Sequence, residues 1–366
     1  MIRQSVSAGR AGARFDVDAL DWPRLATPMA RAEDALARLD ARIAASPIRD
    51  GFLARAHILD ARDALWLEGE LVPLEDLVLH DAGMDARAPT HELTRAHEAL
   101  RARRRIARQP PDWAFTEAGF AVLRGEAEPA PPAAAPTPDH EAADASPFDA
   151  VFADIDAAMA RASRLLAGEA VAPRAAADRP PREAADDALA CFRDALAARE
   201  DLPPTLAAAL ALAELERLAP SEPLGRRGWL APLLAAALLR AGGKCGHLVA
   251  LGAGLRAVAR ERRRAAEPTV RLVAFLAAQA AAAEAGLRDH ERWLAAHAAL
   301  MKKAQGRRQT SRLVEAIDIV LARPLVTAGM LAKELGVTPR AGLNLIAELG
   351  LRETTGRGRY RAWAVL

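Results

Sequence analysis

Two side chains that can recognise base pairs lie one helical turn apart near the C-terminus, Arg340 and Asn344. Residues four positions apart share one face of an α-helix, so both side chains can point in the same direction. Arginine can donate two hydrogen bonds to guanine, and asparagine can form a similar bidentate pair with adenine, both in the major groove. Thr338 precedes the pair and could contact the same groove. This spacing predicts recognition of duplex DNA.

Further arginines surround a predicted β-hairpin at the end of the chain: Arg352, Arg357, Arg359 and Arg361. The segment Thr355-Gly356-Arg357-Gly358 is typical of a hairpin tip, and residues 351–354 and 359–364 on either side of it are predicted strands. Guanidinium groups on such a hairpin suit contacts with phosphates or with a minor groove. The hairpin would position the protein on DNA without selecting its sequence.

Three helices must precede this hairpin to present the base-contacting side chains, and the sequence predicts all three. Pro324 ends the first helix, whose apolar stripe at helical spacing consists of Leu313, Ile317, Val320 and Leu321. The second covers residues 328–335, and Gly336 then supplies a turn that needs a positive φ. Thr338 is a good N-cap and Pro339 suits the first helical position, so the third helix begins there.

The third helix ends near residue 349, so residues 310–366 are predicted to form a winged helix-turn-helix. Positive charge is concentrated on this motif. From residue 302 onward, 12 Lys or Arg stand against 5 Asp or Glu, which gives +7; the whole chain is +2, so the first 301 residues carry −5. A local positive field is typical of a DNA-binding surface. The alternative is a winged helix that contacts only protein, because the third helix holds one arginine, no lysine and Glu348.

Composition predicts that the remainder is helical. Of the 366 residues, 51% are hydrophobic but only 4% are aromatic, and the abundant alanine and leucine are strong helix formers. The expected fold is mainly α, a multi-helix bundle followed by the small winged helix-turn-helix with one β-hairpin. Two cysteines, Cys191 and Cys245, are too few for a disulfide framework and indicate a cytoplasmic protein. The apolar stretch 229–239 is too short to cross a bilayer, so no membrane association is expected.

Proline-rich segments divide the chain into four predicted parts. Residues 1–124 form a helical N-terminal region, with helices at 34–43, 52–66, 74–80 and 91–107. Residues 125–183 form a proline- and alanine-rich linker that contains one amphipathic helix at 148–166. Residues 184–303 form a helical core, with helices at 184–199, 204–218, 230–241, 248–264 and 269–302. Residues 310–366 complete the chain as the helix-turn-helix.

Residue patterns for catalysis or metal binding are weak, so we expect a protein that is not an enzyme and uses no metal or cofactor. His91 and His97 lie six positions apart, which departs from the H-E-x-x-H spacing that places two zinc ligands on one helix face. Cys245 and His247 follow two glycines and indicate a turn between helices. The arginine runs 101–105 and 260–264 are typical of solvated helix ends.

One family resemblance covers most of the chain from about residue 16. The stretch GHLVALGAGLRAVARERRRAAEPTVRLVAFLAAQAAAAEAGLRDHERW, together with the C-terminal TGRGRYRAWAVL, resembles an uncharacterised family of rhizobium-like bacteria. Proteins of that family combine a helical domain of unknown function with a C-terminal helix-turn-helix. The resemblance implies DNA binding and supplies no catalytic residue.

A second, remote resemblance is to the Fic family, whose enzymes transfer AMP to protein hydroxyls. Residues 202–243 resemble the Fic core, and ALWLEGELVPLEDL, residues 64–77, resembles the inhibitory segment, with Glu68-Gly69 present and Ala64 in place of Ser or Thr. The Fic catalytic loop would correspond to residues 218–229. Its histidine base is absent there, and only Glu222, Gly225 and Arg226 match. The resemblance therefore implies a degenerate scaffold.

We therefore expect a protein that binds double-stranded DNA, either a transcriptional regulator or a plasmid-maintenance factor. The helical body would form a homodimer, bind another partner or sense a ligand. The alternatives are a Fic-like pseudoenzyme and an adaptor whose winged helix contacts protein.

Overall fold

The computed structural model describes residues 20–85, 88–125, 202–218, 228–305, 312–355 and 361–365. Thirteen α-helices, one short 3-10 helix and one two-stranded sheet form the regular structure within these ranges. The predicted fold class, mainly α with a single hairpin near the C-terminus, is confirmed.

The N-terminal region contains α1 (Trp22–Ala44), α2 (Arg49–Glu68), α3 (Leu74–Asp81), α4 (His91–Arg108), the 3-10 helix Trp113–Phe115 and α5 (Glu117–Leu123). The predicted start of the first helix at residue 34 is wrong, because α1 begins twelve residues earlier. There the side chain of Asp21 accepts a hydrogen bond from the backbone N–H of Arg24, and Pro23 lies in the first turn.

The core contains α6 (Pro204–Leu218), α7 (Leu230–Ala241), α8 (Leu251–Ala257), α9 (Arg260–Arg263) and α10 (Pro268–Ala304). The prediction of one helix over residues 248–264 is wrong. Val258 is extended, with φ −101° and ψ 131°, which ends α8 and separates it from α9. The helices predicted at 148–166 and 184–199 lie outside the described residues.

The 37-residue helix α10 is the centre of the body and packs against α1, α6 and α8. A Cβ placed on Gly254 of α8 would lie 1.9 Å from the carbonyl oxygen of Ala278 in α10, so only glycine fits this crossing. By length and composition α10 could cross a membrane, but half of its most apolar window is buried inside the protein. That burial is typical of a core helix.

A buried ion pair joins the N-terminal region to the core. Arg103 of α4 is 2% exposed, pairs with Asp60 of α2, and donates to the carbonyl oxygens of Leu248 and Val249 at 3.3 Å each. The prediction of a solvated arginine run over residues 101–105 is therefore wrong at Arg103. Breaking a buried pair of this kind typically costs about 3–5 kcal/mol.

The second arginine run also has one buried member. Arg263 is 8% exposed and its Nε donates to the carbonyl oxygen of Val258, whereas Arg260, Arg262 and Arg264 are exposed. The N-terminal and core helices contribute to one hydrophobic core. The four-part division proposed from the sequence stays a prediction.

The C-terminal region consists of α11 (Leu313–Ala322), α12 (Ala328–Leu335), α13 (Pro339–Leu349) and the strands β1 (Arg352–Glu353) and β2 (Trp363–Ala364). The strands are antiparallel, with Arg352 opposite Ala364 and Glu353 opposite Trp363. They are shorter than predicted, because ladder pairing is limited to these two positions within the described ranges. An isolated bridge from Val326 to Trp363 fastens the hairpin to the turn before α12.

Local end signals explain the bounds of α12 and α13. Gly336 has φ 65° and ψ 35°, the left-handed conformation predicted for the turn between the helices. The Thr338 hydroxyl accepts a hydrogen bond from the backbone N–H of Ala341 at 3.2 Å, and Pro339 follows at the first helical position. Both predicted roles are confirmed, and α13 is thereby held at a fixed angle to α12.

Candidate nucleic-acid interface

One face of α13 is open to solvent. Its exposed residues lie on one side of the helix: Pro339, Arg340, Leu343, Asn344 and Ala347. The opposite arc is buried against α11 and α12, and it contains Gly342, Ile346 and Leu349. The structure therefore brings the predicted pair Arg340 and Asn344 together on one accessible face, where an adjacent DNA groove would meet both side chains.

Leu343 and Ala347 extend this face beyond the residues predicted from the sequence. Leu343 is 42% exposed. Apolar side chains can contact the methyl group of thymine in the major groove. The exposure of Leu343 could have been predicted from helical periodicity, because Ile346 and Leu349 define the buried arc and Leu343 lies outside it.

Thr338 is exposed at the first turn of the same helix. Its oxygen accepts the capping hydrogen bond, so the hydroxyl hydrogen remains available as a donor. A hydroxyl at a helix N-terminus suits a phosphate, because the exposed backbone N–H groups and the helix dipole also favour an anion there.

The hairpin arginines differ in their surroundings. Arg352 is exposed and has no ion-pair partner among the residues that the structure describes. Arg361 pairs with Glu353 on the opposite strand through a 3.0 Å hydrogen bond from Nε, and its guanidinium lies 5.1 Å from the ring centroid of Trp363. The hydrogen bond from Arg361 lowers the pKa of Glu353. Arg357 and Arg359 lie outside the described residues.

Ion pairs neutralise acids around the helix-turn-helix and leave several cations uncompensated. Glu315 is held by Arg312 and Glu334 by Arg323. Across the described part of this region, five exposed cations have no ion pair: Lys302, Lys303, Lys333, Arg340 and Arg352. Lys333 is on α12, the helix that crosses the DNA backbone in helix-turn-helix proteins. Within the described residues, the cations without an ion pair therefore lie on α10, α12, α13 and β1.

The helix-turn-helix is fastened to the body by cations that donate to helix ends. Arg55 of α2, only 4% exposed, donates from Nε to the carbonyl oxygen of Leu321 and from Nη2 to that of Val320, both at 3.0 Å. Lys303 donates to the carbonyl oxygen of Leu349 at 2.5 Å. Cations are favoured at the C-terminal ends of helices. These bonds orient α11 and α13 relative to α2 and α10.

The side chains considered for catalysis do not assemble into a site. Cys245 is buried, and burial raises the pKa of its thiol to about 12, so it is protonated at neutral pH. His97 lies beside Asp81 and His80, whereas His91 is exposed. Throughout the ranges described, no group of three or more His, Cys, Asp or Glu side chains could hold a metal ion.

Comparison with known proteins places this arrangement in a family. A family model described as a protein of unknown function, DUF1612, matches residues 182–305, and one described as an HTH DNA binding domain matches residues 313–366. The chain is 40% identical over 381 residues to the uncharacterised protein y4cF of Sinorhizobium fredii (strain NBRC 101917 / NGR234), covering 96% of this chain and 100% of that protein. This chain belongs to the same family. The predicted resemblance to rhizobial proteins of this organisation is confirmed.

The family match assigns a DNA-binding domain to the part of the chain that carries Arg340 and Asn344. The matched residues 313–366 begin at the first residue of α11 and include both strands of the hairpin. The adjoining DUF1612 match, residues 182–305, ends just after α10 and carries no activity in its description. The resemblance to the Fic family stays a hypothesis.

Proposed function

We propose that this protein is a sequence-specific regulator that binds double-stranded DNA through α13, acting in transcription or in plasmid maintenance in the cytoplasm. The observation that carries the proposal is the exposure of Arg340 and Asn344 on one face of a helix whose other face is buried. Arg340 has no ion-pair partner in the described part of the chain, so its guanidinium is free to contact a guanine.

Backbone contacts would come from the surrounding cations. Lys333 on α12 and Arg352 on β1 flank α13, and the hairpin would act as a wing along the phosphates. Phosphate contacts set the position of the protein, and base contacts select the sequence. We therefore assign the choice of sequence to α13 and the salt-dependent part of the affinity to α12 and the hairpin.

Selection of binding sites from a random DNA library tests this assignment. The full chain should enrich one short motif, whereas Arg340→Ala should enrich a motif that has lost its preference at one guanine. An equally sharp motif from both proteins would contradict the role of Arg340. Palindromic enrichment would indicate a homodimer, because two copies of α13 would then contact two half-sites.

An adaptor function is the second candidate, and exposure of Leu343 on the same helix face favours it. An apolar side chain between Arg340 and Asn344 could contact a protein groove as well as a thymine methyl group. The salt dependence of binding distinguishes the two functions. Association with DNA should weaken steeply as salt rises, whereas an adaptor would show no such DNA affinity.

A Fic-like pseudoenzyme is supported by one contact in the body. Glu68, in the segment that resembles the Fic inhibitory motif, pairs with Arg95 and lies where a Cβ on Gly228 would be 3.0 Å from its carboxyl carbon. Residues 219–227, which include Glu222, Gly225 and Arg226, lie outside the described residues. A thermal shift with ATP and magnesium would support this function, and we expect none. That the protein is not an enzyme stays a prediction.

A further inference from the structure

A cavity of about 540 Å³ opens in the helical body between α2, α8 and α10. Its wall is largely apolar and includes Leu39, Phe52, Val249 and Trp293. Trp66, which is 40% exposed, and Arg256, which is exposed, lie at its rim. Sites for small molecules are mostly apolar clefts of about 300–1,000 Å³ with a few polar groups, so the size and lining suit a small organic ligand.

The charged groups of the cavity carry an excess of positive charge. Three arginines and three aspartates line it: Arg55, Arg62, Arg256, Asp60, Asp63 and Asp289. Two of these aspartates also pair with arginines outside the lining, Asp60 with Arg103 and Asp289 with Arg292. The lining residue His247 in turn pairs with Asp40. Five arginines against four aspartates therefore give the lining residues and their partners a charge of +1. A bound anion would offset that excess.

Two arginines at the rim share a single carboxylate oxygen. Oδ1 of Asp63 accepts hydrogen bonds from Nη2 of Arg62 at 2.7 Å and from Nη1 of Arg256 at 2.6 Å. The Arg256 guanidinium also lies 4.6 Å from the ring centroid of Trp66. Each guanidinium has five N–H donors, so both arginines keep donors that an anionic ligand can use.

Arg55 is a buried cation in the cavity wall whose contacts are with carbonyl oxygens and not with a carboxylate. It donates to the ends of α11 and lies 3.8 Å from the ring centroid of Trp293, and no carboxylate pairs with it among the described residues. Burial lowers the pKa of Arg55 to about 9, so the group is still charged at pH 7. Nη1 makes no hydrogen bond within the described ranges.

We infer that this cavity binds a small organic anion with an apolar body, and that Arg55 transmits its occupancy to the helix-turn-helix. The apolar wall and Trp66 would hold the body of the ligand, and Arg256 and Arg62 its acidic group. The regulatory part of the inference rests on the proposed DNA-binding function, whereas the binding site itself does not.

The physical link is the position of Arg55 between the cavity and α11. Arg55 lines the cavity, and its guanidinium donates to the carbonyl oxygens of Val320 and Leu321 and also bonds that of Arg323. An anion held by Arg256 and Arg62 would attract the Arg55 guanidinium through the low-dielectric interior. That attraction would weaken the bonds from Arg55 to α11 and loosen the docking that orients α13.

Calorimetric titration of the full chain with 1-naphthoate tests the site, with 1-naphthamide as a neutral ligand of the same shape. We expect naphthoate to bind, and naphthamide to bind at least about tenfold more weakly, because it forms no charge-assisted hydrogen bond. Arg256→Gln should weaken naphthoate binding by a similar factor. Arg260→Gln, an exposed change outside the cavity, is the matched control and should leave binding unchanged. Thermal melting of each variant confirms that it is folded.

Absence of naphthoate binding, or equal binding of naphthamide, would overturn the site whatever the chain does on DNA. For transmission, saturating naphthoate should lower the affinity for DNA at least about fivefold, the lower end of typical allosteric couplings. Arg256→Gln should abolish this effect at the same naphthoate concentration. Naphthoate binding with unchanged DNA affinity would overturn transmission through Arg55. If the chain binds no DNA, the proposed function fails, and calorimetry still decides the cavity.

Discussion

Gly342 of α13 packs directly on the backbone of Ala328 in α12. A Cβ at position 342 would lie 2.6 Å from the Ala328 carbonyl oxygen, closer than side-chain and backbone atoms normally approach. This contact brings the backbones of α12 and α13 together where the two helices cross. It determines how far α13 projects toward DNA.

Replacing Gly342 with alanine should therefore destabilise the helix-turn-helix. Alanine gains about 1 kcal/mol of helix propensity, but overpacking costs about 1–3 kcal/mol, and a backbone carbonyl cannot rotate away. We expect a lower midpoint in urea unfolding and weaker DNA binding. Gly246→Ala is the matched control, because its Cβ would meet Asp40 only at 3.7 Å. A variant at position 342 that is more stable than the parent would contradict this packing.

Arg340 and Arg352 should affect DNA binding in different ways. Arg340→Ala should weaken binding to the specific site by about 1–3 kcal/mol and relax one base position, as expected for a bidentate base contact. Arg352→Ala should weaken specific and random DNA alike and reduce the salt slope by about 1. Fluorescence anisotropy with both DNAs measures these effects. If Arg340→Ala loses equal affinity for specific and random DNA, Arg340 does not contact a base.

Glu353 should restrain the hairpin as a DNA-binding surface. Its carboxylate holds Arg361 and places a negative charge beside Arg352. Glu353→Gln should raise affinity for random DNA and steepen the salt slope by about 0.9, because Arg361 becomes available to one more phosphate. Glu315→Gln, which removes the acid paired with Arg312 on α11, is the comparison. If Glu353→Gln changes the DNA affinity and the salt slope no more than Glu315→Gln does, the hairpin does not contact the phosphates.

Asp81 should make stability depend on pH below about 4. Burial alone would raise its pKa, but hydrogen bonds from His97 and Arg104 hold it well below the ordinary value. Because the folded-state pKa is depressed, its contribution is complete above the unfolded pKa of about 4 and is lost as pH falls through the folded pKa.

Asp81→Asn should thus lower the free energy of unfolding by about 1–3 kcal/mol at pH 7. The difference from the parent protein should shrink as pH falls below 4. Urea unfolding at pH 7 and pH 3 measures both quantities. Asp50→Asn, whose side chain is 94% exposed, should have little effect at either pH. If the difference in the free energy of unfolding between the parent and Asp81→Asn is the same at both pH values, the charge of Asp81 does not stabilise the fold.

Local signals in the sequence predicted much of the helix-turn-helix. Gly336 ends α12 in the predicted left-handed conformation. Thr338 caps the start of α13, as predicted. The type and order of these elements, and the exposure of Arg340, could therefore be predicted from the sequence, since each depends on residues only a few positions apart.

Long-range contacts could not be predicted from such local signals. Arg55 reaches carbonyl oxygens 265 and 266 residues later in the chain, and nothing in the local pattern of α2 indicates it. Arg103 belongs to an arginine run typical of solvent, yet its partner Asp60 lies on another helix, 43 residues earlier. The backbone approach at Gly342 depends on how α12 crosses α13, which helical periodicity does not determine.

Binding of the full chain to fragments of its own upstream DNA, at two salt concentrations and with random competitor, tests the central claim most directly. We predict tight binding that resists the competitor and weakens as salt rises, because base contacts from α13 add to phosphate contacts from the surrounding cations. Absence of binding at low salt, or complete displacement by random DNA, would contradict a sequence-specific function for this helix-turn-helix.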